Sequence, residues 1–251
     1  MSSITISLIV LACVFGGALL GIFLHAVLPQ HHLSNETKDI VKLGMGLVGT
    51  MAALVLGLLV ASAKGSYDNQ SAELTQLSAN IAVLDRGLAL YGPETKEARA
   101  MLRGAVVRIL DQMWSKDDTS ASPEPPSAAG GEILYEKIQG LSPKNDTQRS
   151  LQSQALSTAV DIGKTRYLMY AQQATSVSMP LLVVLVLWLT VIFISFGLFA
   201  PFNATVVSSL VVSALSVSGA ILLILEMYTP YSGVIAVSSA PLRAALAHLG
   251  Q

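Results

Sequence analysis

Apolar residues gather into four runs, roughly residues 4–28, 43–63, 180–200 and 204–225. Each is long enough to cross a bilayer, which takes about 20 predominantly apolar residues. The first run has no basic residues before it and exceeds the 7–15 apolar residues, roughly, of a secretory signal core. It therefore reads as a retained helix. The second run does not stop where its apolar character does. Leu74, Leu77, Ile81, Leu84, Leu88 and Tyr91 follow at spacings of 3, 4, 3, 4 and 3, which is a heptad seam. Extended backwards in the same frame, the seam reaches Gln70, Tyr67, Ala63, Val60 and Leu56. One helix is thus predicted to run from the bilayer into water. At about 1.5 Å per residue, Leu43 to Tyr91 would span roughly 70 Å, against about 30 Å of hydrocarbon.

Gly92 and Pro93 close this helix, as a C-terminal cap and the first turn of the next. The next helix runs to about Trp114, with Leu102, Val106, Ile109 and Met113 on one face, and folds back antiparallel. Residues 115–131, "SKDDTSASPEPPSAAGG", have linker composition and no apolar period. A short helix around 132–139 follows, then a long one over about 146–178 that enters the third span near Met179-Pro180. "APFN" joins the last two spans into a hairpin, with Pro201 stopping one helix and Asn203 capping the other. The expected organisation is a membrane pair in 1–63, a helical water-side region in 64–178, a second membrane pair in 179–228 and a tail in 229–251. The fold class is an all-α integral membrane protein.

Composition agrees. Of 251 residues, 52% are hydrophobic and 12% charged, about half the usual charged fraction of a soluble domain. A net charge of -1 argues against nucleic acid as a partner; membrane lipid is the partner that the spans require. Asp, Glu, Lys and Arg are absent before Glu36, between Lys42 and Lys64, and between Arg166 and Glu226. Lys64, Lys164, Arg166 and Arg243 flank the membrane on the side of the 64–178 region, and Lys38 and Lys42 on the other. Basic residues favour the cytoplasm, which places both termini and 64–178 there, in a bacterial inner membrane.

Three features are candidates for function. The second span carries a ladder of small residues, Gly49, Ala53, Gly57, Ala61 and Gly65, each four apart. Such a ladder suits close helix packing or the wall of a narrow conduit; Gly17 and Gly21 repeat it more weakly in the first span. The fourth span is rich in hydroxyls. Ser209, Ser213 and Ser216 share a face leading towards Glu226, and hydroxyls either bond helix carbonyls or replace water around an ion. Glu226 sits at the expected membrane edge, where it is a functional candidate or simply hydrated. His31 and His32 in the first loop lack further ligands at metal spacing, so no metal site and no cofactor is expected. The lone Cys13 cannot form an internal disulfide. Hydrolase, zinc-protease and P-loop motifs are missing, so an enzyme is not expected.

The segment "GLLVASAKGSYDNQSAELTQLSANIAVLDRGLALYGPE" resembles the bestrophin-like family of bacterial and plant membrane proteins, long catalogued as a domain of unknown function. The closing segments "LFAPFNATVV" and "LSVSGAILLILEMYTPYSGVIAVSSAPLR" are similar to that family's end, including the aromatic at Tyr231 after Pro230, and Gly233. The resemblance implies a homo-oligomer, pentameric as bestrophins are, that passes inorganic ions, with anions the candidate cargo, beside the second span. Gly49, Ala53, Leu56, Gly57, Val60 and Ala63 would then line or shape the pore. Ser209, Ser213, Ser216 and Glu226 would offer a polar path or gate. Leu74, Leu77, Ile81, Leu84 and Leu88 would form the seam holding subunits or helices together. The second span lacks the aromatics of a bestrophin neck, and the segment after Glu226 lacks an acidic calcium clasp. The alternative is a non-conducting membrane-anchored scaffold or sensor whose water-side helices bind a protein.

Overall fold

No proline lies between Asn35 and Tyr91, and the computed structural model makes this whole stretch one helix. It describes residues 2–29, 34–114, 128–173, 177–201, 203–231 and 233–250. The described elements are α1 (Ser3–Val27), α2 (Asn35–Tyr91), a 3-10 turn (Pro93–Thr95), α3 (Lys96–Met113), α4 (Ala128–Gln139), α5 (Asp146–Gln173), α6 (Met179–Phe199), α7 (Ala204–Met227) and α8 (Ala240–His248). No strand occurs among the described residues. Helices α1, α2, α6 and α7 are each long and apolar enough to cross a membrane. The chain forms two compact units, 1–66 with 176–228 and 67–175 with 229–251. Helix α2 contributes to both, and Gly65 is an ordinary helical residue within it.

In the first unit, α1 packs on α6 and α7 around Val10, Val14, Ala18, Leu185, Ala214 and Ile221. Its closest approach is a reciprocal glycine contact. A Cβ built on Gly21 would lie 2.1 Å from the Ile194 carbonyl oxygen, and one on Gly197 2.1 Å from that of Ala18. Gly17 meets Thr190 at 3.0 Å in the same construction. Helix contact in lipid depends on packing rather than on water expulsion, so absent side chains let two backbones touch. Two serines fasten α1 to α7. The hydroxyls of Ser7 and Ser218 lie 2.8 Å apart, and each also reaches the other residue's carbonyl, at 2.9 and 2.7 Å. Asn203 caps α7 by accepting from the Val206 N–H at 2.8 Å, as the sequence indicates.

In the second unit, the heptad seam becomes core. Leu74, Leu77, Ile81, Leu84 and Leu88 are all within 1% of full burial and pack with Leu102, Val106, Ile109, Ile138 and Leu242. The seam is therefore filled by this chain's own helices. Gly92, at φ 140°, turns the chain from α2 towards α3, a conformation that side-chain-bearing residues rarely adopt. The Thr95 hydroxyl ties the corner by donating to Leu88 O at 2.6 Å and Gly92 O at 2.8 Å.

Two boundaries differ from the sequence reading. The linker over 115–131 lies outside the described residues as far as 127, but 128–131 are already the first turn of α4. The alanines there favour helix, and Leu134 and Ile138 anchor the turns that follow. Helix α5 is described as far as Gln173, and residues 177 and 178 are not helical, where the sequence reading carried the helix to 178. Pro180, which has no N–H to give, sits in the first turn of α6, and Ser178 is its extended N-cap at ψ 93°. Within the tail, α8 buries Leu242 and Ala245, and Leu249 follows, also buried. The Trp114 indole donates to the Val237 carbonyl at 3.0 Å and meets Tyr231 edge-on, with centroids 5.5 Å apart.

Candidate functional site

The membrane stretch of α2 has two faces of different character. Ala52, Leu59 and Ala63 are buried in the first unit's core, and Leu56 packs half-buried beside them. Ala53, Gly57, Val60, Ala61 and Gly65 are exposed, and Gly49 is half-buried. A Cβ on Gly57 or Gly65 would meet nothing within 4 Å, and one on Gly49 only a methyl of Ile192 at 4.0 Å. Thus the six pore candidates divide. Ala53, Gly57 and Val60 share the open face with Gly49 at its edge, whereas Leu56 and Ala63 turn inward. Ala63 is fully buried against its own chain, so it lies away from the open face. The reason is geometric, since positions 56 and 63 are seven apart and sit on the packed side, about a third of a turn around the helix from the ladder.

The ladder also exchanges roles with the weaker glycine pair. Within the chain, close packing uses Gly17, Gly21 and Gly197, while the ladder in α2 stays uncovered. In the most apolar window of α2 only 11% of residues are buried, against 33%, 33% and 28% in α1, α6 and α7.

The serines of α7 separate in the same way. Ser209, Ser213 and Ser216 are exposed, and Ser216 returns its hydroxyl to the Val212 carbonyl at 2.8 Å. Ser218 is the one turned inward, on Ser7. Glu226 is 6% exposed, so it is not a hydrated edge carboxylate of the single chain. The structure does not bring it onto the exposed serine face. Two residues along from it, the Tyr228 hydroxyl bonds Ser62 of α2 at 2.9 Å. His31 and His32 lie outside the described residues, and no group of three or more metal-binding side chains occurs among the described ones.

The second unit holds charged and polar groups that the sequence reading did not single out. Arg99 clasps Asp85 through Nε and Nη at 2.8 and 2.9 Å, with the carboxylate side chain only 8% exposed. The pair holds the Arg99 proton more firmly than usual, chiefly through that hydrogen bond. Burial lowers the proton affinity of Arg166, and the like charge of Arg108 adds to it. Burial also pushes the Tyr231 phenol well up, with Glu73 contributing. Spacing gave no warning of the Asp85–Arg99 pair, because the partners meet only once α3 folds back. Ser7, an isolated hydroxyl in an apolar run, was the visible hint of the α1–α7 fastening.

The Ser7–Ser218 pair carries a direct expectation. Replacing both with alanine removes two interhelical hydrogen bonds worth together about 1 kcal/mol. Thermal unfolding in detergent is expected to fall by a few degrees for S7A/S218A, and to hold steady for S213A on the exposed face. Equal behaviour of the two variants would show the fastening to be energetically idle.

Compared with known proteins, the bestrophin-like domain is the family whose description fits, over residues 12–242. No curated protein and no solved structure matches the chain.

Proposed function

The chain belongs to the bestrophin-like family, a channel-type membrane family, and from that premise we propose that it is one subunit of a homo-oligomeric ion channel whose conduit runs beside α2. The observation that carries this reading is the bare face of α2. A spanning helix with 11% of its apolar window buried and with Ala53, Gly57 and Ala61 exposed has left its small-residue face for something outside its own chain. Small residues there permit close approach of a neighbouring copy and leave little side-chain bulk along an axis. A five-fold ring, by family likeness, would place five such faces around one path. Inorganic anions are the cargo on the same ground, and the second unit with both termini is assigned to the cytoplasm by its basic flanks. Ser209, Ser213 and Ser216 are exposed hydroxyls in the same membrane unit and could solvate an ion or meet a neighbour.

The test is reconstitution in liposomes with chloride, sodium and potassium gradients read separately. Chloride flux is expected, and G57L should cut it several-fold while the chain is still produced and folded, since a Cβ at this position meets nothing of its own chain within 4 Å. No flux at any potential, from a preparation of confirmed oligomers, would remove the conduction reading and leave a membrane-anchored scaffold. A monomer in lipid discs would remove the ring.

A further inference from the structure

Between the end of α2, the start of α3 and the residues after α8, the second unit has an open cleft of about 580 Å³. Lys96, Arg99 and Arg103 line it, spaced three and four apart on one face of α3. No acidic residue lines it among those described. The acids at the beginning of α3 are committed elsewhere: Glu94 to Lys144 at 3.0 Å and Glu97 to Lys137 at 2.8 Å. Asp85 answers Arg99. Arg103 gives one Nη–H to the Leu249 carbonyl at 2.8 Å, but neither it nor Lys96 has a carboxylate partner among the described residues. Three cations against one carboxylate leave an excess of two positive charges. The remaining wall is small and apolar, with Ala89, Ala100 and Leu249. The volume falls within the range of about 300–1,000 Å³ typical of small-molecule sites.

We propose that this cleft binds a phosphate-bearing small molecule. Lys96 and Arg103 hold the phosphate oxygens, and Arg99, fixed in place by Asp85, presents further charge behind them. A phosphate dianion matches the excess charge, and guanidinium and ammonium groups bind it through short charge-assisted hydrogen bonds. The apolar wall suits an organic remainder. A soluble organic phosphate has this chemistry. The site stands independently of whether the membrane unit conducts.

The experiment uses the full-length protein in phosphatidylcholine discs, titrated by calorimetry with pyrophosphate and with ATP. Saturable binding of at least one of the two is expected. K96Q and R103Q should each weaken it about tenfold, the loss of one charge-assisted contact. R149Q should not, because Arg149 pairs with Asp146 and does not line the cleft. Lys96 is exposed and makes no side-chain hydrogen bond or ion pair among the described residues, so K96Q separates ligand binding from folding. Binding that K96Q leaves unchanged, or no saturable binding of either pyrophosphate or ATP, overturns the proposal.

Discussion

Gly21→Leu is expected to abolish the folded protein. The first atom of any side chain at this position would fall 2.1 Å from the Ile194 carbonyl oxygen and 2.8 Å from the Leu198 nitrogen. Both are backbone atoms, so no rotamer change relieves the clash; α1 and α6 must part. Separation would loosen contacts around Ala18, Val14 and Leu185, all fully buried. Overpacking of an adaptable site costs about 1–3 kcal/mol, and a rigid backbone obstacle exceeds that. Even Gly21→Ala should lower the apparent melting temperature in detergent by roughly 10 °C, about 3 kcal/mol at the size scaling of a chain this long. Gly197→Ala should do the same, since its Cβ would meet the Ala18 carbonyl at 2.1 Å. Gly16→Ala serves as the reference: a Cβ there meets nothing within 4 Å. Fluorescence-detected size exclusion after heating separates these outcomes. Wild-type stability in Gly21→Leu would mean that α1 and α6 do not touch as described.

Asp85→Ala is expected to cost about 2–3 kcal/mol. Removing one partner of a buried ion pair leaves the other charge uncompensated, worth about 3–5 kcal/mol when both are fully buried. Here Arg99 is 19% exposed, and water recovers part of the loss. The same carboxylate also accepts from the Gly250 N–H at 3.4 Å, so the change frees the segment after α8 as well. The double variant Asp85→Leu/Arg99→Met should regain most of the stability, because it removes both charges and keeps the volume. Thermal melts of the four corners of this cycle measure the coupling directly. A single Asp85→Ala variant within about 0.5 kcal/mol of wild type would place the pair in effectively solvated surroundings.

Helix α2 and its neighbours were readable because their signals are local. Four apolar runs and a heptad seam need only the spacing of residues, and the seam leucines are indeed among the most buried in the chain. The Asn203 cap and the Gly92-Pro93 corner were legible for the same reason. What escaped depends on partners distant in sequence. Gly17 and Gly21 gave a short, weak pattern, yet their meaning comes from Gly197 opposite them. The longer ladder in α2 looked stronger, but sequence cannot say which of two glycine faces meets its own chain. Leu56 and Ala63 were grouped with the ladder because one heptad frame was carried through the membrane, where the inward face lies about a third of a turn away. The serines and Glu226 show the same limit: residue type marked them as candidates, while burial separated Ser218 and Glu226 from the rest.

The second unit is assembled from pieces that are not contiguous, 67–175 and 229–251. Its core includes Leu242 and Leu249, both at 2% exposure or less. Those residues leave the ribosome only after the two apolar helices α6 and α7 have been made. During synthesis, the leucines of α2 must therefore wait, incompletely covered, through about 150 further residues and the insertion of a hairpin into lipid. A nascent chain stalled before α8 should be a substrate for chaperones or proteases, and the separately expressed 67–175 fragment should need the 229–251 peptide added back to become protease-resistant. Membrane insertion is in this sense a checkpoint for the water-side core, set by the order of the chain alone.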